Sequence, residues 1–309
     1  MSAMRVAGLS LLKAGLALFA ALTAAAPLPA LADAPFLWSL RNGDVTHYLQ
    51  GSVHLLPEAA HPLPSALEAA YANAEELVFE ADIEALSAPD NQLALMNAAR
   101  APQGLRARLP ASLYTRLQQQ AQRVGLPLAM CEPFKAWFCA LSLEVFSYQQ
   151  AGFSPELGLD QHYYHRARDD GKTLAALETV EAHLGLFSAM SDAQAQTLLE
   201  QSLAGDGIAA PDPQALYLSW RNNDHAALER LVADMRRSAP EIYERLLAAR
   251  NRAWVALLRP RLRGERPQLI IVGAAHLVGD DGLIALLAAE GLRLQPVAVG
   301  ARAPEPRAQ

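Results

Sequence analysis

Apolar and polar positions alternate with two rhythms along this chain, and the residues with candidate chemistry sit where one rhythm gives way to the other. Phe36-Leu37-Trp38-Ser39-Leu40 and Val45-Thr46-His47-Tyr48-Leu49 flank Arg41-Asn42-Gly43-Asp44. Asn-Gly between two β-prone runs predicts a tight hairpin. The second run leads directly into Gly51. A Pro-containing loop follows His54, residues 65–74 read as a helix, and Leu77-Val78-Phe79-Glu80 as a short buried strand. The middle of the chain keeps a helical period, predicting helices near 111–124, 133–149, 157–169, 224–236 and 239–258. Another starts at Ser191, where Ser191-Asp-Ala-Gln194 has capping-box spacing. Lys172-Thr-Leu-Ala-Ala-Leu-Glu178 interrupts the helices as a strand that ends on a carboxylate. Gln268-Leu-Ile-Ile-Val272, bounded by Pro267 and Gly273, reads as a central strand, followed by a helix over 280–290 and a last strand over 292–299. No long linker appears. The pattern predicts one α/β (α+β) domain over 33–300, with a central mixed β-sheet from two βαβ-like halves and a large helical insertion; 301–309 is a frayed tail.

The first 32 residues stand apart. Arg5 and Lys13 precede an uncharged run of 13 residues, Ala14 to Ala26, and Pro27 and Pro29 lead to Ala30-Leu31-Ala32. This is the layout of a signal peptide cleaved after Ala32, and the run is shorter than the ~20 residues of a spanning helix. No later stretch is long enough to span, so the mature chain has no predicted membrane span and is expected in the periplasm or secreted, starting at Asp33. Losing Arg5 and Lys13 moves the net charge from −6 to −8. With no basic cluster, nucleic acid is not an expected partner. Cys131 and Cys139 would lie ~12 Å apart on one continuous helix, too far to bond. They bridge only if Cys131 precedes the helix and folds back on it; otherwise they are two buried thiols.

Two stretches repeat one plan: strand, Gly-x-x-His, Leu, loop, helix, strand. They are built around Gly51-Ser-Val-His54 and Gly273-Ala-Ala-His276. With 18 glycines and 8 histidines in 309 residues, such spacing arises easily by chance, so the shared strand context is what sets the pair apart. Ligands of βαβ units sit at the carboxyl ends of strands, and both histidines are predicted there. Glu80, with Asp82 two residues on, and Glu178 end apolar strands, where a carboxylate is costly unless paired or ligating. Two histidines and one or two glutamates can bind a divalent metal; the alternative is a capping or salt-bridge role with Arg250 or Arg252. The remaining histidines, including His47, His61, His162, His165, His183 and His225, are expected on solvated surfaces. His-Glu-x-x-His, Gly-x-Ser-x-Gly and Gly-x-Gly-x-x-Gly motifs are absent, and Gly171-Lys172-Thr173 reads as a turn into a strand.

Several stretches together resemble the TraB/GumN family, which is Tiki-like and belongs with the erythromycin-esterase/ChaN-like fold. They are Leu49-Gln-Gly-Ser-Val-His-Leu-Leu-Pro57, Glu75-Glu-Leu-Val-Phe-Glu-Ala-Asp82, Leu177-Glu-Thr-Val-Glu181, Glu244-Arg-Leu-Leu-Ala-Ala-Arg-Asn-Arg-Ala-Trp254 and Val272-Gly-Ala-Ala-His-Leu277. Ser52-Val53 and Ala81 depart from the usual residues of that family without touching a proposed ligand. The resemblance implies an exported metal-dependent hydrolase of peptidase type. His54, Glu80 and His276 would be metal ligands, Glu178 a ligand or general base, and Arg250 the group holding an oxyanion or substrate carboxylate. The implied cofactor is a divalent ion such as Mn, Co or Zn, and the partner a peptide or small-molecule substrate. Two rival readings are a non-catalytic periplasmic protein that sequesters such a ligand, and haem or metal capture. Substrate, metal and oligomeric state do not follow from these residues.

Overall fold

The computed structural model describes residues 35–204 and 212–297. The expected signal peptide, the tail and the end of the expected last strand lie outside them. The strands are β1 (Leu37–Asn42), β2 (Val45–Ser52), β3 (Leu56–Pro57), β4 (Glu76–Phe79), β5 (Phe153–Ser154), β6 (Thr173–Ala176), β7 (Gln268–Gly273) and β8 (Gln295–Pro296). The first helices are α1 (Ser65–Asn73), α2 (Ile83–Ser87), α3 (Pro89–Ala99), α4 (Ala111–Val124), α5 (Ala136–Gln150), α6 (Leu159–Asp169) and α7 (Val180–Ser188). There follow α8 (Asp192–Ser202), α9 (Pro213–Arg221), α10 (His225–Ser238), α11 (Pro240–Tyr243), α12 (Ala249–Leu262) and α13 (Leu283–Ala289).

The hairpin forms with Asn42 opposite Val45, so its two turn residues are Gly43 and Asp44. Only Gly43 takes a positive φ, 58°, which its missing Cβ makes inexpensive. β2 then pairs in parallel with β7, β7 with β4, and β4 with β6, while β1 and β8 extend the other side antiparallel, giving the order β6-β4-β7-β2-β1-β8. The sheet is mixed, as expected, but the two halves interleave: β7, from the end of the chain, lies between β2 and β4. β4 and β7 are buried on both faces, with Leu77, Val78, Ile270 and Val272 at 0% exposure, as suits parallel strands covered by helices on both sides. This arrangement fixes the site. The chain leaves β6, β4, β7 and β2 at one carboxyl edge, delivering Glu178, Glu80, His276 and His54 there in that spatial order.

Some expectations are corrected. His47 is fully buried, not in water, with Nε2 3.2 Å from the Gly264 carbonyl oxygen. His225 stacks on Phe36 at 4.6 Å, and His61 Nε2 lies 3.0 Å from the Leu157 carbonyl oxygen. α5 starts at Ala136 rather than 133, because the preceding residues turn and Phe134 bridges to Arg100. That turn folds Cys131 back onto the helix, and it is bonded to Cys139 with Cα atoms 5.2 Å apart. The last strand is confined to two residues among those described. Among the described residues, no helix is long and apolar enough to cross a membrane.

Candidate active site at the carboxyl edge of the sheet

His276 is the most deeply set of the predicted residues. It belongs to a 3-10 turn (Ala274–Leu277) that begins as β7 ends, and it is 3% exposed. Its Nδ1 lies 2.6 Å from Asn251 Oδ1, and the Asn251 amide nitrogen donates to the carbonyl oxygens of Asp281 at 2.7 Å and His276 at 3.3 Å. With its amide nitrogen so committed, Asn251 presents its oxygen, and His276 must donate from Nδ1. The Nε2 lone pair therefore faces the site, where Arg250 Nη1 donates to it at 3.0 Å. Burial pushes the imidazole pKa down to about 3, so it is neutral.

Arg250, expected to hold an oxyanion or substrate carboxylate, is the centre of the site. It reaches in from α12, one residue before Asn251. Nη2 donates to Glu80 at 2.6 Å, while Nε and Nη2 form a two-pronged pair with Glu178 at 2.7 and 3.0 Å. Nη1 also donates to the Leu246 carbonyl at 3.2 Å, and the guanidinium carbon lies 4.5 Å from the centre of the buried Trp254 ring. Trp254 also meets the His276 ring at 4.5 Å. A π-helical turn (Glu244–Ala248) precedes α12. Such turns are rare and recur at functional sites; here Leu246, Leu247 and Arg250 all line one cavity.

Each glutamate is engaged at both oxygens. Glu80 follows β4 directly; its Oε1 accepts from the Gly273 amide at 2.7 Å and its Oε2 from Arg250. Burial alone would raise its pKa, but Arg250, His54 and the Gly273 amide together hold it far below the carboxylate range. Glu178 binds Arg250 and also His183 Nδ1 at 3.1 Å, so His183 is not simply solvated. Its pKa is likewise lowered: burial opposes ionisation, and the His183 and Arg250 bonds outweigh it. Asp82 does not join them. It caps α2 at Ala85 N and accepts from the Tyr164 hydroxyl at 2.6 Å. Arg252 faces outward and pairs with Glu244.

His54 closes the opposite side. Its Nδ1 lies 2.9 Å from Asp160 Oδ2, a pairing the sequence offered no motif for. Asp160 raises the imidazole pKa, but 59% of the side chain is exposed, so solvent screens the attraction. Gly273 shows how the donors converge. A Cβ there would stand 3.3 Å from Glu80 Oε1, 3.5 Å from His276 Cδ2 and 3.9 Å from His54 Nε2. Gly273 has an ordinary φ of −52°, so it is required for space and not for backbone freedom. Gly51 differs. A Cβ there would lie 3.0 Å from the Ala274 backbone, from Leu277 and from Phe36, so that glycine serves the packing of β2. The two histidines thus share one edge of the sheet, as expected. The donors are nonetheless not closed into a cage: among the described residues, no group of three or more His, Cys, Asp or Glu side chains is disposed to hold a metal ion.

The site opens into a cavity of about 410 Å³ that contains His54, Glu80, Arg250 and His276 on one wall. The remaining walls are mostly aliphatic, contributed by the helical insertion. Among the described residues, Glu144 of α5 is the one other carboxyl lining it; an isolated glutamate in a helix carries no signal in the sequence.

A model of the TraB/PrgY/gumN family matches residues 36–296 of the chain. The chain is similar to the protein named uncharacterized protein YbaP of Escherichia coli (strain K12), with 27% identity over 251 residues, covering 79% of this chain and 89% of that protein. A YbaP protein of Shigella flexneri is similar to the same extent. No solved structure matches.

Proposed function

We propose that this chain, which belongs to the TraB/PrgY/gumN family, is a metal-dependent hydrolase of peptides, with His54, Glu80 and His276 as ligands of a divalent ion. The observation that carries this reading is the convergence of three side chains of metal-binding type on the face of Gly273. The donor chemistry fits. His276 directs an Nε2 lone pair inward because Asn251 holds Nδ1; Asp160 fixes the His54 ring through its Nδ1, and an ion binding at His54 Nε2 must displace the proton that Asp160 favours there. Such outer hydrogen bonds commonly orient ligating imidazoles. Two imidazoles and a carboxylate suit Mn, Co or Zn. A bound ion would supply Lewis-acid activation of water and carbonyl.

The chain's own groups do the rest. Arg250 must release His276 Nε2, and its guanidinium, still gripped by Glu178, is then free to hold an oxyanion or a substrate carboxylate. Glu178 has its oxygens committed to Arg250 and His183, which supports an orienting role more than that of a ligand. The cavity wall of leucines excludes water from the bound substrate, strengthening each of these contacts. Export to the periplasm or outside the cell, with Asp33 as mature N-terminus, is part of the proposal and rests on the N-terminal sequence. The test is digestion of a peptide library by purified protein with and without chelator. Chelator-sensitive cleavage supports the reading, and its absence under every metal tried refutes it. One observation favours the alternative of a non-catalytic protein sequestering a peptide or small ligand: Arg250 already satisfies both glutamates and His276 without any ion. Tight peptide binding without turnover would establish that reading instead.

A further inference from the structure

A hydrolytic site needs a group that takes a proton from water and returns it to the leaving amine. Such a group works best with a free lone pair and a pKa near the working pH. The predicted residues are poorly placed for it. Glu80 has one oxygen on Gly273 N and the other on Arg250, and Glu178 is divided between Arg250 and His183. Ion pairing holds both well below neutrality. Each histidine has a ring nitrogen fixed by Asn251 or Asp160, with the other reserved for the ion.

Glu144 is placed differently. Leu141, Glu144 and Tyr148 follow one another at i, i+3 and i+7, which puts them on one face of α5, and all three line the cavity that holds His54, Glu80, Arg250 and His276. Among the described residues it makes no hydrogen bond and no ion pair, so both carboxyl oxygens are available. A half-buried carboxyl without a partner costs stability. We propose that Glu144 is the proton carrier of this site, acting as general base toward the attacking water and as general acid toward the departing amine. The proposal rests on the hydrolytic reading above. In the forward step Glu144 accepts one proton from water as the water oxygen bonds to the amide carbonyl carbon. It then gives that proton to the amide nitrogen as the carbon–nitrogen bond breaks, yielding one carboxylic acid and one amine per water consumed. Burial pushes the Glu144 carboxyl up to about 7, with His54 across the cavity pulling it down. Among the described residues, the other titratable or charged groups lining the cavity are Tyr148 on the same helix, itself raised by burial, and Glu80, His183, Arg250 and His276.

The test is Glu144→Gln in purified protein, which keeps the shape and loses the titration. Zinc affinity by calorimetry should stay within about threefold of wild type, while kcat on a cleaved peptide falls roughly 10²- to 10⁴-fold. The wild-type kcat/KM should fall on the acid side of a limb near neutrality, and the variant should lack that limb. Carbon-13 NMR of metal-free protein should show one glutamate titrating near neutrality that is missing from the variant. Wild-type kcat and the same limb in Glu144→Gln would overturn the proposal and leave the hydrolytic reading standing. Loss of zinc binding by the variant, or Glu144 titrating in the ordinary carboxylate range, would also overturn it. Zinc-loaded wild type that cleaves no peptide would overturn both together.

Discussion

Replacing Arg250 with methionine isolates what its guanidinium contributes, since methionine keeps much of the apolar stem. Arg250, Glu80 and Glu178 have side chains only 10%, 12% and 10% exposed, so their charges are poorly hydrated. Removing one partner of a buried ion pair typically costs about 3–5 kcal/mol, because the surviving charge is left uncompensated. Here two carboxylates are orphaned, yet Glu80 keeps the Gly273 amide and Glu178 keeps His183, which argues for the lower end, about 3 kcal/mol near pH 8. The pH dependence has a definite sign. In the wild type both glutamates are depressed below the ordinary glutamate value of 4.5, so their pairing stabilises the fold above that value and is lost as pH falls through their folded pKa values. In the variant, burial acts unopposed and the carboxyls protonate readily. The difference between the two proteins should therefore be smaller at pH 4.5 than near pH 8, and smaller still as pH falls through the wild-type values. Urea unfolding of metal-free protein, followed by far-ultraviolet circular dichroism at the two pH values, measures it. A loss under about 1 kcal/mol near pH 8, or an equal loss at both pH values, would refute the assignment of Arg250 as the electrostatic centre.

Gly273→Ala places a methyl among the three donors and should lower zinc affinity at least about tenfold while the protein still folds. Gly51→Ala should instead cost about 1–3 kcal/mol by overpacking β2 against Ala274, Leu277 and Phe36. Calorimetric zinc titration and urea unfolding separate the two, and wild-type zinc affinity in Gly273→Ala would undo the convergence argument. Asp160→Ala should weaken zinc binding about 10- to 100-fold with little change in stability, because its exposed partner His54 loses only its orientation; unchanged affinity would show that Asp160 does not orient the ring. Reducing the Cys131–Cys139 bond should lower stability by about 2–3 kcal/mol for so short a loop, read as a drop in Tm with reductant. An unchanged Tm would show that the bridge does not stabilise the fold.

The paired Gly-x-x-His motifs were legible because each is a local pattern, an apolar run ending in glycine with the histidine three residues on. Glu80 and Glu178 were legible because a carboxylate ending an apolar strand needs a partner. What stayed hidden was how the fold assembles those pieces. That β7 inserts between β2 and β4 depends on packing between segments some 190 residues apart, and no local period encodes it. Arg250 reads as one arginine in an arginine-rich helix; only the π-helical turn and the strand order make it the hub. Asp160 and Glu144 lie on helices whose surfaces look ordinary until the site is assembled beside them. His47 was misread for the same reason, since the 264 turn that covers it comes from the far end of the chain.

His54, Glu80 and His276, just beyond the ends of three different strands, are proposed to hold one ion. Crystals grown with zinc and measured on both sides of its absorption edge test that directly. A single strong anomalous peak is expected, bonded to His54 Nε2, His276 Nε2 and Glu80 at nitrogen distances of about 2.0–2.1 Å, with Arg250 withdrawn from His276. A peak elsewhere, or Arg250 still bonded to His276 at saturating zinc with no peak between the histidines, would contradict it.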